Sequence, residues 1–153
     1  MRFAEARTHD ATSGGHAEEH ADACAVVRRA VEAFDREDWA TLRDLLHPQV
    51  RFHPLRAIGR FVVGRSRALE SMCTLRQTEM TITLASLDVL EDGRILALGS
   101  VQRGPDSHPF AAIHEVRNGK IVEARHYFSD AELLQELGIV RRAATGVSSE
   151  EGR

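Results

Sequence analysis

The chain has 153 residues, of which 42% are hydrophobic and 28% charged, the make-up of one ordinary globular domain able to bury its own core. Its 20 basic and 23 acidic side chains leave a formal charge of −3, which argues against nucleic acid as the main partner. No apolar run nears the length of a membrane span and the start lacks the apolar stretch of a secretory signal, so no membrane partner is expected and a cytoplasmic location is. Cys24 and Cys73, the two cysteines, lie far apart and read as free thiols in a reducing compartment.

Residues 1–20 are polar and rich in small residues, with Ser13-Gly14-Gly15, and predict a disordered leader. His9, His16 and His20 sit in it without acidic or cysteine ligands placed around them, so no metal is expected there. Val26, Val27, Ala30, Val31 and Phe34 then repeat at helical spacing. Asp35 to Asp38 breaks that pattern, and a shorter helix follows with Trp39, Leu42, Leu45 and Leu46 on one side, ending before Pro48. Val50 and Phe52 alternate with Arg51 and His53 in a short strand closed by Pro54. A Gly- and Arg-rich loop spans 55–64, and Ser66 is placed to cap a third helix with Ala68, Leu69, Met72 and Leu75 facing inward.

The rest reads mostly as sheet. Met80, Ile82 and Leu84 alternate, then Leu87 and Val89 continue in the opposite phase, which predicts a bulge near Ala85-Ser86. Asp92-Gly93 marks a tight turn, Ile95–Arg103 a long strand and Gly104–Ser107 a looser connection. Phe110–Arg117 and Lys120–Phe128 form a hairpin around Asn118-Gly119, both positions of which tolerate the φ > 0 that a type I′ turn needs. Ser129, three residues before Glu132, is a capping box for a closing helix carrying Leu133, Leu134 and Leu137. Helices segregated from an antiparallel sheet define an α+β fold, with a loose tail over 141–153.

Ala33-Phe34, Asp38-Trp39, Leu46-His-Pro-Gln-Val50, Gly64-Arg65, Asn118-Gly-Lys-Ile121 and Arg125-His-Tyr-Phe128, in this order and spacing, resemble the SnoaL-like branch of the nuclear transport factor-like superfamily. The resemblance covers about residues 22–139 and implies a domain over 21–140. It further implies a curved antiparallel sheet wrapped on helices as a conical barrel with a central pocket, and a homodimer formed through the sheet. Relatives include ketosteroid isomerases, polyketide cyclases, limonene-type epoxide hydrolases and scytalone dehydratases, alongside binding proteins, so the fold alone does not select an activity.

A two-residue turn at Asn118-Gly119 pairs Arg117 with Lys120, Glu115 with Val122, Ile113 with Ala124 and Ala111 with His126. Ala111, Ile113, Ala124 and His126, joined by Phe128, should then form a small apolar wall around one imidazole. The resemblance puts His126 and His53 at positions where relatives hold catalytic or water-binding groups. Two imidazoles facing one cavity could act as acid and base near neutral pH without a metal or other cofactor. The bland readings are a core histidine bonded to a backbone carbonyl at 126 and a solvated strand end at 53. His114 falls on the opposite face, across from Glu123. Phe34, Trp39, Phe52, Met72 and, near the mouth, Arg103 complete the expected substrate-binding set. Ile113 stands where an isomerase relative carries its proton-donating acid, so that mechanism does not transfer.

The resulting expectation is a cofactor-independent enzyme that moves protons in a small apolar, polyketide- or terpenoid-like substrate by cyclisation, isomerisation or dehydration. The alternatives are a non-catalytic ligand-binding or dimerisation module of the same fold, and epoxide opening by a water held between His53 and His126.

Overall fold

The structure is a computed structural model that describes residues 2–54 and 61–127, together with 133, 135, 137 and 138, with side chains from Gly15 onward. Helix α1 (Arg2–Asp35) precedes α2 (Trp39–Leu45), strands β1 (Leu46–His53) and β2 (Val62–Val63), and helix α3 (Arg65–Arg76). Strands β3 (Thr81–Val89), β4 (Ile95–Arg103), β5 (Asp106–Arg117) and β6 (Lys120–His126) follow. Residues 133, 135, 137 and 138 are helical, whereas the Ser129–Glu132 cap, Phe128 and the 141–153 tail lie outside the described residues.

Helix α1 continues back to Arg2, through the segment expected as a disordered leader. Residues 16–22 are exposed, and burial starts where the apolar repeat starts, at Val26, Val27, Ala30, Ala33 and Phe34. Residues 16–22 are therefore helix without a docked face, since helical hydrogen bonds need only tolerable residues while docking needs an apolar stripe. At the C-terminal end Glu37 adopts φ 57° and the Asp38 N–H bonds to the carbonyl of Ala33, a left-handed stop. Asp38 then caps α2, its carboxylate accepting from the Thr41 N–H and hydroxyl. The expected Ser66 cap is absent: α3 starts at Arg65 behind Gly64, whose φ of 108° suits glycine.

The sheet has six strands in the order β2-β1-β6-β5-β4-β3. The α+β class and the curved sheet on helices hold, with two corrections. β1 and β6 run parallel, because the chain crosses over α3 and the β3–β5 meander before β6 returns beside β1, so the sheet is mixed. It is also open rather than a closed conical barrel, with the two-residue β2 and β3 as its edges. The Ile82 N–H on edge strand β3 donates to the Asp35 carboxylate, which ties that edge to α1.

The turns sharpen the expected connections. Asn118 and Gly119 have φ of 50° and 74°, the two left-handed positions of the expected hairpin turn. The Asp92-Gly93 turn is a three-residue loop, Glu91–Gly93, closed by the Leu90 N–H donating to the Arg94 carbonyl and the Gly93 N–H donating to the Leu90 carbonyl. Gly104-Pro105 is a two-residue turn between paired Arg103 and Asp106, so β5 begins earlier than expected and includes His108.

Two bulges set which side chains face the helices. The first skips Ala85, between the Leu84–Gly99 and Ser86–Leu98 pairs, as the phase change in the sequence predicts. The second skips Val122: Val116 pairs with Ile121, but Glu115 pairs with Glu123. At the first bulge a Cβ on Gly99 would collide with the carbonyl oxygen of Thr83 and lie 3.0 Å from the Leu84 Cα. Both obstacles are backbone, so no rotamer change relieves them. Gly99→Ala should therefore lower stability by about 1–3 kcal/mol, read as a shift of the denaturant midpoint. An unchanged midpoint would show that the bulge absorbs the methyl group.

Candidate functional site

The Val122 bulge shifts the four pairs beyond it in the β5–β6 hairpin by one residue, Glu115 with Glu123 being the first. His114 pairs with Ala124, Ile113 with Arg125 and Ala112 with His126. Since paired residues share a face, Phe110, Ala112, His114, Ala124 and His126 line up toward the helices. Burial agrees: Ala112, Phe110, Ala124 and His114 are 0%, 3%, 3% and 6% exposed. Ala111 and Ile113 are on the other face, which corrects their placement on the pocket wall. The signal for the slip is Ile121-Val122, two adjacent apolar residues that interrupt the alternation before Ala124 and His126.

A cavity lies between this face and the helices, with about 60 Å³ open to the centre of a water molecule, and it is partly open to solvent. α1 supplies Phe34, α3 Met72, β1 Phe52, and the hairpin Phe110, Ala124 and both inward histidines. Among the described residues, His114 and His126 are the only polar side chains that line it; no carboxylate, ammonium, guanidinium or hydroxyl group joins them there. Of the expected substrate-binding residues, Phe34, Phe52, Met72 and Ala124 line it. Trp39 stands one layer back, its ring edge-on to Phe34 at 6.3 Å. Arg103 is turned away, bonding to the Thr78 hydroxyl at 3.1 Å.

His126 is held by its neighbour strand. Its Nδ1–H donates to the carbonyl oxygen of His53 at 2.7 Å. A carbonyl only accepts, so the neutral ring carries its proton on Nδ1 and leaves Nε2 as a bare acceptor. Phe52 and Phe110 flank the ring at 5.4 and 5.7 Å, and His114 lies 6.4 Å away nearly perpendicular to it. Burial pushes the His126 pKa down to about 4, against the raising effect of the His53 carbonyl. Burial likewise pushes His114 down to about 3, with His126 adding repulsion. Both rings are neutral at pH 7. The His114 Nδ1 is buried with no hydrogen-bond partner among the described residues, so the ring enters the site with a nitrogen still unsatisfied.

His53 does not share the cavity. It pairs with Arg125, on the face opposite to His126, and its Nε2 lies 3.1 Å from the Glu123 carboxylate, with Phe61 against its ring at 5.0 Å. Its backbone, not its imidazole, reaches the site. The expected His53–His126 pair is thus replaced by His114–His126, and a water bridging the imidazoles of 53 and 126 has no place in this geometry. Among the described residues no group of three or more His, Cys, Asp or Glu side chains is arranged to hold a metal ion. No described helix is long and apolar enough to cross a membrane.

A family model described as a SnoaL-like domain matches residues 27–124. No curated protein matches the chain. Among solved structures, Bal32a from a soil-derived mobile gene cassette is 23% identical, with a TM-score of 0.62 over 80% of this chain and 98% of that one. A candidate polyketide cyclase from Xanthomonas campestris is 19% identical, with a TM-score of 0.59 over 77% and 98% of the two chains. A candidate ketosteroid isomerase from Kribbella flavida is 16% identical, with a TM-score of 0.60 over 71% and 78%. At these identities the likeness establishes the fold.

The depressed pKa values make a prediction about stability. Both histidines bind protons more weakly folded than unfolded, so their contribution is complete above about pH 6.5 and is lost as pH falls toward their folded values of about 4 and 3. Stability should fall over that window by about 1.4 kcal/mol per pH unit for each proton taken up on unfolding. His114→Leu removes a buried unpartnered nitrogen, and should raise stability at pH 7 by about 1–2 kcal/mol while flattening the slope. Urea melts from pH 4 to 7 on both proteins check this; equal slopes would place the titration elsewhere.

Proposed function

The chain belongs to the SnoaL-like domain family, and from that premise we propose that it is a small-molecule enzyme that transfers protons within an apolar substrate, in an isomerisation, cyclisation or dehydration. The observation that carries this reading is the fixed tautomer of His126: a bare Nε2 in a cavity whose walls are otherwise hydrocarbon and one second imidazole. His126 takes the role of base. Its Nε2 accepts a proton from a carbon beside a carbonyl, the electron pair moves onto the carbonyl oxygen, and the imidazolium returns the proton to a different carbon. The His53 carbonyl supports each stage, because it accepts from Nδ1–H whether the ring is neutral or charged. His114 takes the place expected for His53, offering a ring N–H to the oxygen that gains charge. Water exclusion by Phe52 and Phe110 strengthens both contacts.

A base whose pKa lies near 4 is fully deprotonated at neutral pH, and its conjugate acid returns the proton readily. Similarity to polyketide cyclase and ketosteroid isomerase candidates supports the substrate class of apolar ketones and enols.

Proton exchange into a panel of such ketones in deuterated buffer tests the reading. His126→Ala should slow exchange by about 10²-fold or more, with the fold retained by circular dichroism. Undiminished exchange would remove His126 from the chemistry. The acid limb of kcat/KM should fall near pH 4 rather than at the ordinary histidine value of about 6.5. A limb at the ordinary value would mean that the ring is solvated during turnover.

A further inference from the structure

We infer that the cavity is built for the hydroxyl-bearing end of a neutral molecule, an alcohol, phenol or enol on an apolar body, and that it rejects carboxylates and other ions. The inference rests on the proton-transfer reading for the site but concerns which ligand enters it. Three observations lead there.

The first is the direction of the available hydrogen bond. With Nδ1–H of His126 committed to the His53 carbonyl at 2.7 Å, Nε2 can only accept while the ring is neutral. A ligand satisfies it by bringing a donor. A ketone or ether oxygen placed there would face a lone pair with a lone pair, whereas an O–H would not.

The second is the charge of the walls. Among the described residues no ionised side chain lines the cavity, and burial keeps both histidines neutral. A carboxylate would have to shed its water with no cation to meet it, and an ammonium group with no anion; either loss is large in such surroundings. The charged groups nearest in sequence, Glu123 and Arg125, point to the other face of the sheet, where Glu123 lies 3.1 Å from His53 and 3.8 Å from Arg125.

The third is the unfinished state of His114. It is 6% exposed, its Nδ1 has no partner, and its ring lies 6.4 Å from that of His126. A native core seldom leaves a buried imidazole without hydrogen bonds unless something else completes it. A hydroxyl held between the two rings donates to one and can accept from the other, which neither an ion nor a hydrocarbon achieves. With about 60 Å³ open to the centre of a water molecule, where one water needs roughly 10–15 Å³, the space holds a functional group and its nearest carbons, and the partly open mouth admits the rest of a larger apolar body.

Four ring compounds that differ at one substituent test this: phenol, anisole, toluene and benzoate, titrated into the full-length protein at pH 7 with histidine ¹⁵N shifts as readout. Phenol should bind at least about tenfold more tightly than anisole or toluene, move the His126 Nε2 resonance toward the hydrogen-bonded position, and benzoate should not bind. Equal affinity for phenol and anisole, tighter binding of benzoate, or no binding by any of the four would overturn the proposal. His126→Phe should erase the preference for phenol over toluene while toluene still binds; retention of the preference also counts against it. The wild-type comparison stands even where that variant is too unstable to measure. Selective phenol binding in a protein that exchanges no protons would sink the enzymatic reading and leave this one. Turnover of a charged substrate that depends on His126 would do the reverse.

Discussion

The residue left out of pairing at Val122 is the constraint on which the site depends. β-strand side chains alternate with a period of two, so one skipped residue moves everything beyond it to the opposite partner set. Before the bulge the hairpin is in simple register from its Asn118-Gly119 turn, with Val116 opposite Ile121. After it, His126 stands across from Ala112 and beside His114, rather than across from Ala111 and beside Ile113. Without that bulge the cavity would hold one imidazole, and His114 would face outward beside the charged Glu123–His53 contact. With it, the charged groups and the neutral histidines are sorted to opposite faces of one sheet.

This same feature marks how much the sequence reveals. The bulge at Ala85 is legible because its flanks are large and unambiguous: Ile82 and Leu84 on one phase, Leu87 and Val89 on the other. The bulge at Val122 sits opposite Glu115-Val116, and beyond it the facing strand runs through Ala111-Ala112-Ile113, apolar at every position, so those residues give no phase against which the slip would show. Ile121-Val122 carries the same kind of signal, in a weaker form, because Lys120 and Glu123 on either side are polar in both registers. The α+β class, the helix order and the turns were readable from periodicity and turn chemistry. Strand direction was not: nothing in Val50-Arg51-Phe52-His53 says whether its partner runs alongside or against it. Because that partner is the parallel strand β6, His53 reaches His126 through its backbone, while its imidazole is paired with the opposite face.

The histidine pair also shows a conflict between folding and use. Burying an imidazole without a partner at Nδ1 opposes folding, and keeping two rings neutral ties stability to pH. Both effects come from the hydrocarbon walls of Phe52, Phe110 and Met72 around the two rings. The same walls set the His126 ring among hydrocarbon, where a hydrogen bond to Nε2 is stronger than in water. Stability is thus weakest where the chemistry is concentrated, a pattern expected of sites retained for function.

The acceptor that orients His126 is a main-chain carbonyl, and every residue type supplies one. The side chain at position 53 can change without removing it, provided that the strand keeps its parallel place beside β6. Orientation of the base is therefore inherited from backbone topology, whereas the groups that choose a ligand sit on side chains around it. A lineage carrying this domain can alter the walls of the cavity, one substitution at a time, and keep a correctly protonated imidazole at its centre throughout.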